Sequence, residues 1–394
     1  MRRTYRYRLY PTLAQVAALE AQLAFCCEVY NAGLQERRDA WRTGARVGYH
    51  DQARQLTEIR REGMAPPMNS WTQIDVLMRL DRAFQAFFQR CKAGVKPGYP
   101  RFRSKRRYDS LSWSFSGNAG GIAIRRGRLY LQGVGMVKVK WHRSIPEGAE
   151  VKTATVVRHG KRWEVCFSVE MPALDAPTRE VAEVGIDLGV VAFAATSDGE
   201  RISGPRAGRR ASRRVRRHQR TVSRRKRGSN RRRKAASVLA RTREREGEAR
   251  RDHRHKLARE LVRRYTFIAV EDLAIRDMTR SAKGTVEALG RNVRQKAGLN
   301  RSQLDQAWGA FLLTLQSKAE EAATVVVKVD PRNTSRTCSE CGLVDARSRR
   351  SQAEFVCVAC GHSANADVNA ARNILSLGRR LQAPTVEDEP RAVA

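Results

Sequence analysis

The chain has 394 residues, and 77 Lys and Arg against 40 Asp and Glu leave a formal charge of +37. A hydrophobic share of 41 % with 7 % aromatics is enough to bury real cores, which excludes a solvated basic tail. No run of about 18 apolar residues and no signal-peptide h-region occurs, so a membrane partner is not expected. A charge of this size repels itself and calls for a polyanion, which makes nucleic acid in the cytoplasm or on the nucleoid the expected setting. Length alone predicts two or three domains.

In chain order, residues 3–10 alternate Tyr with Arg and predict a strand that breaks at Pro11. Val16, Leu19, Leu23, Cys27, Tyr30 and Leu34 recur at helical spacing and predict a helix over 12–41. Ile74, Leu77, Phe84, Phe87, Phe88 and Cys91 predict another over 69–91, which places Cys27 and Cys91 in a core. From 94 to 172 the pattern shortens to a two-residue period (Ile122 and Ile124, Leu129 and Leu131, Val137 and Val139, Trp163 to Val169) and predicts a small β-barrel. Residues 1–11 would help to close it, with 12–93 as a helical insert between its first two strands.

Beyond a Pro-containing linker at 171–180 the pattern becomes mixed α/β. A hairpin is predicted from 184–188 and 190–196, strands at 266–270 and 324–329, and helices at 303–322 and 367–377. Between the hairpin and the next strand, residues 206–256 carry 23 basic and four acidic side chains. A solvated helical hairpin would explain some of that density, but nearby phosphates explain it better. Arg224, Arg225, Lys226, Arg231, Arg232 and Arg233 in this stretch, and the interleaved Tyr99, Arg101, Phe102, Arg103 and Lys105, are the candidate nucleic-acid contacts. The tail beyond about Arg380 is expected to be disordered.

Cys338, Cys341, Cys357 and Cys360 form C-x2-C-x15-C-x2-C, and Gly342 and Gly361 after each pair let the backbone turn toward a metal. In a reducing compartment these four thiols predict a closed, structural Zn2+ site rather than disulfides, with His362 outside the ligand set. Three acids stand apart from the surface charge. Asp187 lies inside the apolar VGIDLGV, Glu271 ends the apolar FIAVEDL, and Asp367 opens the helix NADVNAARNIL. Each alone has a plain explanation as a loop acid or helix cap. Together, on strand, strand and helix start, they predict hard oxygen ligands for two Mg2+ ions in phosphodiester hydrolysis. Asp272 competes with Glu271, and strand alternation favours Glu271. Weaker candidates are Asn69, Ser70 and Gln73 at a helix start, His253, His255 and Lys256 in the basic stretch, and Asn369, Arg372 and Asn373 beyond Asp367.

GIDLGV, FIAVEDL, the two-knuckle module after DPRNTSRTCSECG, and NADVNAARNIL resemble the RuvC-like nuclease of the TnpB family of bacterial insertion sequences, related to compact type V CRISPR effectors. YRLYPT, CCEVYNAGL and GYPRFRSKRRYDSLSW extend the resemblance over most of the chain. It implies an RNA-guided DNA endonuclease that takes a non-coding guide RNA and a double-stranded DNA target, as a monomer or a homodimer. By the same resemblance the barrel and helices up to 172 would hold guide and target-adjacent motif. Residues 181–394 would form an RNase-H-like (RuvC) domain with a basic insert at 204–256 and a four-cysteine zinc module at 335–362. Asp187, Glu271 and Asp367 carry over as catalytic metal ligands. Three other functions compete: a nuclease-inactive, RNA-guided repressor, which should have lost an acid, a conventional transposase, whose acids usually run Asp, Asp, Glu, and a zinc-ribbon transcription or RNA-binding factor, which would leave the buried Asp187 unexplained.

Overall fold

The computed structural model describes residues 2–115, 121–160, 162–172, 181–285 and 287–382. It divides into two compact units, residues 1–173 and 174–394. Most of the expected linker at 171–180 and of the expected tail lies outside the described residues.

The first unit begins with β1 (Arg2–Tyr10), whose alternation turns Tyr5, Tyr7 and Leu9 inward and most of its arginines outward. Three helices follow, α1 (Leu13–Arg42), α2 (Tyr49–Arg61) and α3 (Ser70–Lys92). Six strands complete the unit: β2 (Ser110–Ser114), β3 (Ile122–Arg125), β4 (Arg128–Leu131), β5 (Gly135–Lys140), β6 (Glu150–His159) and β7 (Arg162–Glu170). The strands form one antiparallel sheet in the order β2-β6-β7-β1-β5-β4-β3. Thr12 and Gln15 close a reciprocal capping box that fixes the start of α1. Leu19, Leu23 and Tyr30 of α1 and Leu80 and Phe84 of α3 share one core with Tyr7, Trp113 and Phe167 of the sheet. Truncating one such leucine to alanine costs about 2–5 kcal/mol.

Two expectations change here. The sheet has its predicted strands, but β1 lies in its middle between β7 and β5, and among the described residues no pairing joins the edge strands β2 and β3 into a closed barrel. Cys91 is exposed rather than core, because the last turn of α3 runs out beyond its apolar packing, whereas Cys27 is buried. Asn69 caps α3 by accepting from the Trp71 N–H at 3.0 Å.

The second unit contains β8 (Glu183–Asp187), β9 (Ala194–Thr196), β10 (Arg201–Ile202), α4 (Ala207–Ser223), α5 (Asn230–Arg264), β11 (Phe267–Glu271) and the short α6 (Ile275–Met278). It continues with α7 (Val293–Gln306), α8 (Trp308–Ala322), β12 (Val325–Val329), β13 (Glu354–Val356), β14 (Ser363–Asn365) and α9 (Ala366–Gln382). Its main sheet has the order β10-β9-β8-β11-β12, with β8, β11 and β12 parallel and the other two antiparallel. Strand alternation divides the two faces. Val184, Ile186, Ile268 and Val270 pack with Leu257 and Leu261 of α5 and Phe311 and Leu315 of α8. Phe267, Ala269 and Val329 pack with Ile374 of α9.

The helix expected over 303–322 is two helices, broken where Ala307 takes a left-handed φ of 56°. The basic hairpin also extends further than expected. α5 runs to Arg264, and Leu257, Ala258, Leu261 and Val262 of its last turns are buried, so the charged arm is rooted in the core.

Gly185 decides how closely α9 approaches. A Cβ there would stand 2.0 Å from the Ala371 carbonyl oxygen and 2.7 Å from the Leu375 nitrogen. Gly185→Ala should therefore push α9 off the sheet, cost about 1–3 kcal/mol by overpacking, and reduce activity because α9 carries Asp367. Thermal unfolding beside an activity assay checks this; an unchanged Tm would show that the contact is not tight.

Candidate active site

The three acids are brought together by sheet register and helix packing. Ile186 is paired with Val270 across parallel β8 and β11, so Asp187 follows directly beside Glu271, about 4.8 Å away in the hydrogen-bonding direction. Side chains two residues apart on a strand share a face. Asp187 therefore points to the side of Gly185, and Glu271 to the side of Ala269. Both glycine and alanine touch α9: Gly185 faces Ala371, and Ala269 faces Gly378. One turn before Ala371, toward the helix start, lies Asp367, at the same end as the two strand acids.

The electrostatics agree with this convergence. Burial, then the charge of Glu271, then that of Asp367 raise the Asp187 carboxyl from 3.8 to about 7, while Arg349 pulls it down. Burial also raises Glu271, opposed by a hydrogen bond from Thr334. Glu271 is 8 % exposed, and the Thr334 hydroxyl donates to its Oε1 at 2.6 Å. The neighbouring Asp272 is exposed and pairs with Lys328 at 3.2 Å. Arg349 stands 3.7 Å from Asp367. Three acids against one guanidinium leave an excess of negative charge beneath partial burial, which a divalent cation would neutralise.

The four cysteines form a tighter group. All four sulfurs lie within 4.8 Å of one another, and no other set of three or more potential ligand side chains among the described residues does so. Cys338 and Cys360 sulfurs are 3.7 Å apart, and Cys341 and Cys357 sulfurs 3.6 Å. A tetrahedron with bonds of about 2.3 Å has edges of about 3.8 Å, so the thiols fit Zn2+. Backbone N–H groups of Cys360 and Ala359 pull the Cys357 thiol down to about 6. Cys360 rises to about 12, since the His362 N–H that favours its thiolate is outweighed by the neighbouring thiols. Four thiols this close do not all ionise without a cation. His362 lies off the cluster, against the Ser339 hydroxyl at 3.5 Å.

Asn369 and Asn373 tie this module to α9. The Asn369 side chain donates to the Thr337 carbonyl at 2.8 Å and accepts from the Ser339 N–H at 3.0 Å. Asn373 donates to the Thr334 and Thr337 carbonyls at 2.9 and 2.7 Å. Both are buried, so they secure the loop that carries Thr334 and the first knuckle, while Arg372 stays at the surface near Glu340.

The candidate nucleic-acid residues divide. Tyr99 is 43 % exposed and meets Phe84 and Phe87 edge-on, and Arg101 is exposed. Arg103 lies over the Tyr30 ring, with its backbone bonded to Asn31, and Lys105 pairs with Glu28 at 2.6 Å. Arg224, Arg225, Lys226, Arg231 and Arg233 are exposed on the hairpin. Arg232 instead donates to the Val222 and Arg225 carbonyls, both at 2.9 Å, and closes the α4–α5 turn. That geometry assigns it to the scaffold. His253 packs edge-on against Phe193, and burial lowers its pKa. Gln73 is buried.

Sequence reasoning missed Thr334 and Arg349. Thr334 falls in the DPRNTSRT segment, where a buried hydroxyl has no periodic signature. Arg349 lies in the spacer between the cysteine pairs, among Arg347 and Arg350, with nothing local to single it out.

Family models match in three places. Residues 165–282 match the model described as "Probable transposase", residues 308–374 the "Cas12f1-like, TNB domain", and residues 1–46 a "Helix-turn-helix domain". A protein of Streptomyces pristinaespiralis, provisionally named an RNA-guided DNA endonuclease, is 32 % identical over 385 residues, covering 96 % of this chain and 90 % of its own. The chain belongs to the TnpB family of RNA-guided DNA endonucleases. A provisionally named RNA-guided DNA endonuclease of Escherichia coli K12, InsQ, is 29 % identical across 96 % of this chain and 93 % of its own. A Cas12f1 chain solved with single guide RNA and target DNA shares the fold, with a TM-score of 0.59 at 15 % identity over 95 % of this chain and 98 % of that one. For this TnpB-family chain, no helix among the described residues is long and apolar enough to cross a membrane.

Two outcomes follow. Metal analysis of the purified protein should find about one zinc per chain, and Cys357→Ser should lower that content and leave the second unit protease-sensitive. In metal-free protein the ionised Asp187 imposes a stability cost that is complete above pH 7, shrinks as pH falls, and is gone below the ordinary value of 3.8. Asp187→Asn should accordingly raise Tm in EDTA at pH 8 by several degrees and give no gain near pH 4, measured by calorimetry.

Proposed function

We propose that Asp187, Glu271 and Asp367 hold two Mg2+ ions with which this RNA-guided endonuclease hydrolyses a phosphodiester bond of its DNA target. The second unit would be its RuvC-like nuclease domain, with a four-cysteine zinc ribbon at 335–362. The first unit would bind guide RNA and the target-adjacent motif. The observation that carries the reading is the in-register placement of Asp187 beside Glu271, with Asp367 at the facing helix start.

When bound, the two ions would supply Lewis-acid stabilisation of the attacking and leaving oxygens. The chain's own residues do the rest. Thr334 fixes one Glu271 oxygen and leaves the other to face the site. Arg349 restrains Asp367 and brings a positive charge to where a scissile phosphate would sit, so it stabilises charge that builds on that phosphate. The cysteine module holds Arg349, and Asn369 and Asn373 fix that module to α9. Zinc would in this way be structural and yet control the geometry of the acids.

The exposed arginines of the α4–α5 hairpin, with Tyr99 and Arg101, would supply sequence-independent phosphate and stacking contacts. Sequence would come from pairing with a guide RNA encoded near the transposon end.

The test is to purify the complex with its co-purifying RNA and offer it a target plasmid with randomised flanks, in Mg2+ or EDTA. Asp187→Ala, Glu271→Ala or Asp367→Ala should each reduce cleavage about 1,000-fold or more with target binding kept within a few-fold. Arg349→Ala should reduce it about 100-fold, again without loss of binding. Target binding without cleavage in the wild type would favour the repressor, and strand transfer in place of hydrolysis would favour the transposase.

A further inference from the structure

The third acid differs from the other two in how it is held. Asp187 and Glu271 lie in paired strands, and sheet register places them. Asp367 is the second residue of α9, so its position depends on how that helix starts. The start has no loop before it: β14 ends at Asn365 and α9 begins at Ala366.

The first turn of a helix leaves backbone N–H groups without intrahelical partners. Here those of Ala366, Asp367 and Val368 are engaged. The Ala366 N–H donates to the Ala353 carbonyl at 3.0 Å. The Asp367 and Val368 N–H groups donate to the Asn365 Oδ1 at 3.1 and 3.4 Å, as at an N-cap. The Asn365 Nδ2 in turn donates to the Ala353 carbonyl at 3.1 Å, so both ends of the amide are used and its orientation is set. Ala353 immediately precedes β13, and Asn365 is paired with Glu354 in the β13–β14 ribbon. The same ribbon holds Arg349 through a bridge to Phe355, and Phe355 is buried with Cys338, Cys357 and Ala366. The start of α9 is thus fixed to the cysteine module before Asp367 is reached.

An aspartate in a first helical turn has two competing uses. Its short carboxylate readily accepts from nearby backbone N–H groups, and a carboxylate so engaged turns its oxygens to the backbone and away from a metal. Asn365 removes that competition, because it already occupies the N–H of Asp367 itself and of Val368. The Asp367 carboxylate meets the Arg349 guanidinium only at 3.7 Å, beyond hydrogen-bonding distance. By sequence alone Asp367 could cap its own helix; the structure gives that role to Asn365.

We propose that Asn365 is the positioning residue for Asp367: by taking up the first-turn N–H groups and tying them to the ribbon, it keeps the Asp367 carboxylate free for the divalent cations shared with Asp187 and Glu271. The proposal deepens the metal-ligand reading above and rests on it.

Asn365→Ala, Asn365→Gly and Asn365→Ser are compared with the wild type in the full RNA-bound complex. Glycine at a cap costs little stability but offers no side-chain acceptor, whereas serine offers one. The Mg2+ concentration for half-maximal target cleavage should rise about 10-fold in both Asn365→Ala and Asn365→Gly. Asn365→Ser should return it to within about two-fold of the wild type. A rise in Asn365→Ala alone, with Asn365→Gly like the wild type, overturns the proposal, because it reports only helix stability. So does a loss of cleavage at every Mg2+ concentration with an unchanged midpoint, or no change at all.

A second readout does not use DNA cleavage. Fe2+ replaces Mg2+ in the same complexes, and with ascorbate and peroxide the bound iron cuts the polypeptide beside its ligands, which fragment masses locate. Cuts near Asp187, Glu271 and Asp367 should need about 10-fold more Fe2+ in Asn365→Gly than in the wild type; equal iron dependence overturns the proposal. Asp187→Ala and Asp367→Ala are the controls. If they keep the wild-type cuts, the metal-ligand reading fails and the proposal with it. If they lose them while Asn365→Gly keeps the wild-type iron dependence, that reading stands and only the role of Asn365 falls.

Discussion

The second unit depends on forcing like charges together. Parallel register sets Asp187 beside Glu271, and the glycine opposite α9 lets the helix lie close enough to add Asp367. Left to themselves such groups would repel and take up protons, as the rise of Asp187 to about 7 records. The apolar packing on both faces of the sheet supplies the stability that holds them there. The acids therefore cost the apo fold stability, a cost that a bound cation would offset.

The cysteine module acts as a brace for that site. It contributes Arg349 to Asp367, and the loop leading into it contributes Thr334 to Glu271. Two buried asparagines on α9 bind the same loop. One helix therefore carries an acid and one anchor of the brace on its first turn and the second anchor a turn further on. This coupling explains why Asn369 and Asn373 sit so near Asp367 without needing to touch substrate.

The surplus positive charge is not uniform. Arg232, Arg250 and Arg103 are engaged in turns, ion pairs and ring contacts, and these give the α4–α5 arm and the first unit their shape. Others, such as Arg216, Arg243 and Arg301, line a cavity without an acidic partner among the described residues. Composition counts both kinds alike, although only the second is available to a polyanion.

The sequence by itself determined the elements whose signal is local. Two-residue alternation marked the strands, helical spacing marked α1 and α3, and fixed cysteine spacing marked the four-cysteine module. The three acids were legible because a carboxylate inside or at the end of an apolar strand is conspicuous. Only the tertiary structure decided what depends on distant partners. β1 sits mid-sheet because its two neighbours come from residues 135–170. The break at Ala307 depends on a backbone angle that alanine does not advertise. Thr334 and Arg349 acquire meaning from neighbours distant in sequence, Glu271 and Asp367, and side-chain chemistry alone carries no record of which neighbours those will be.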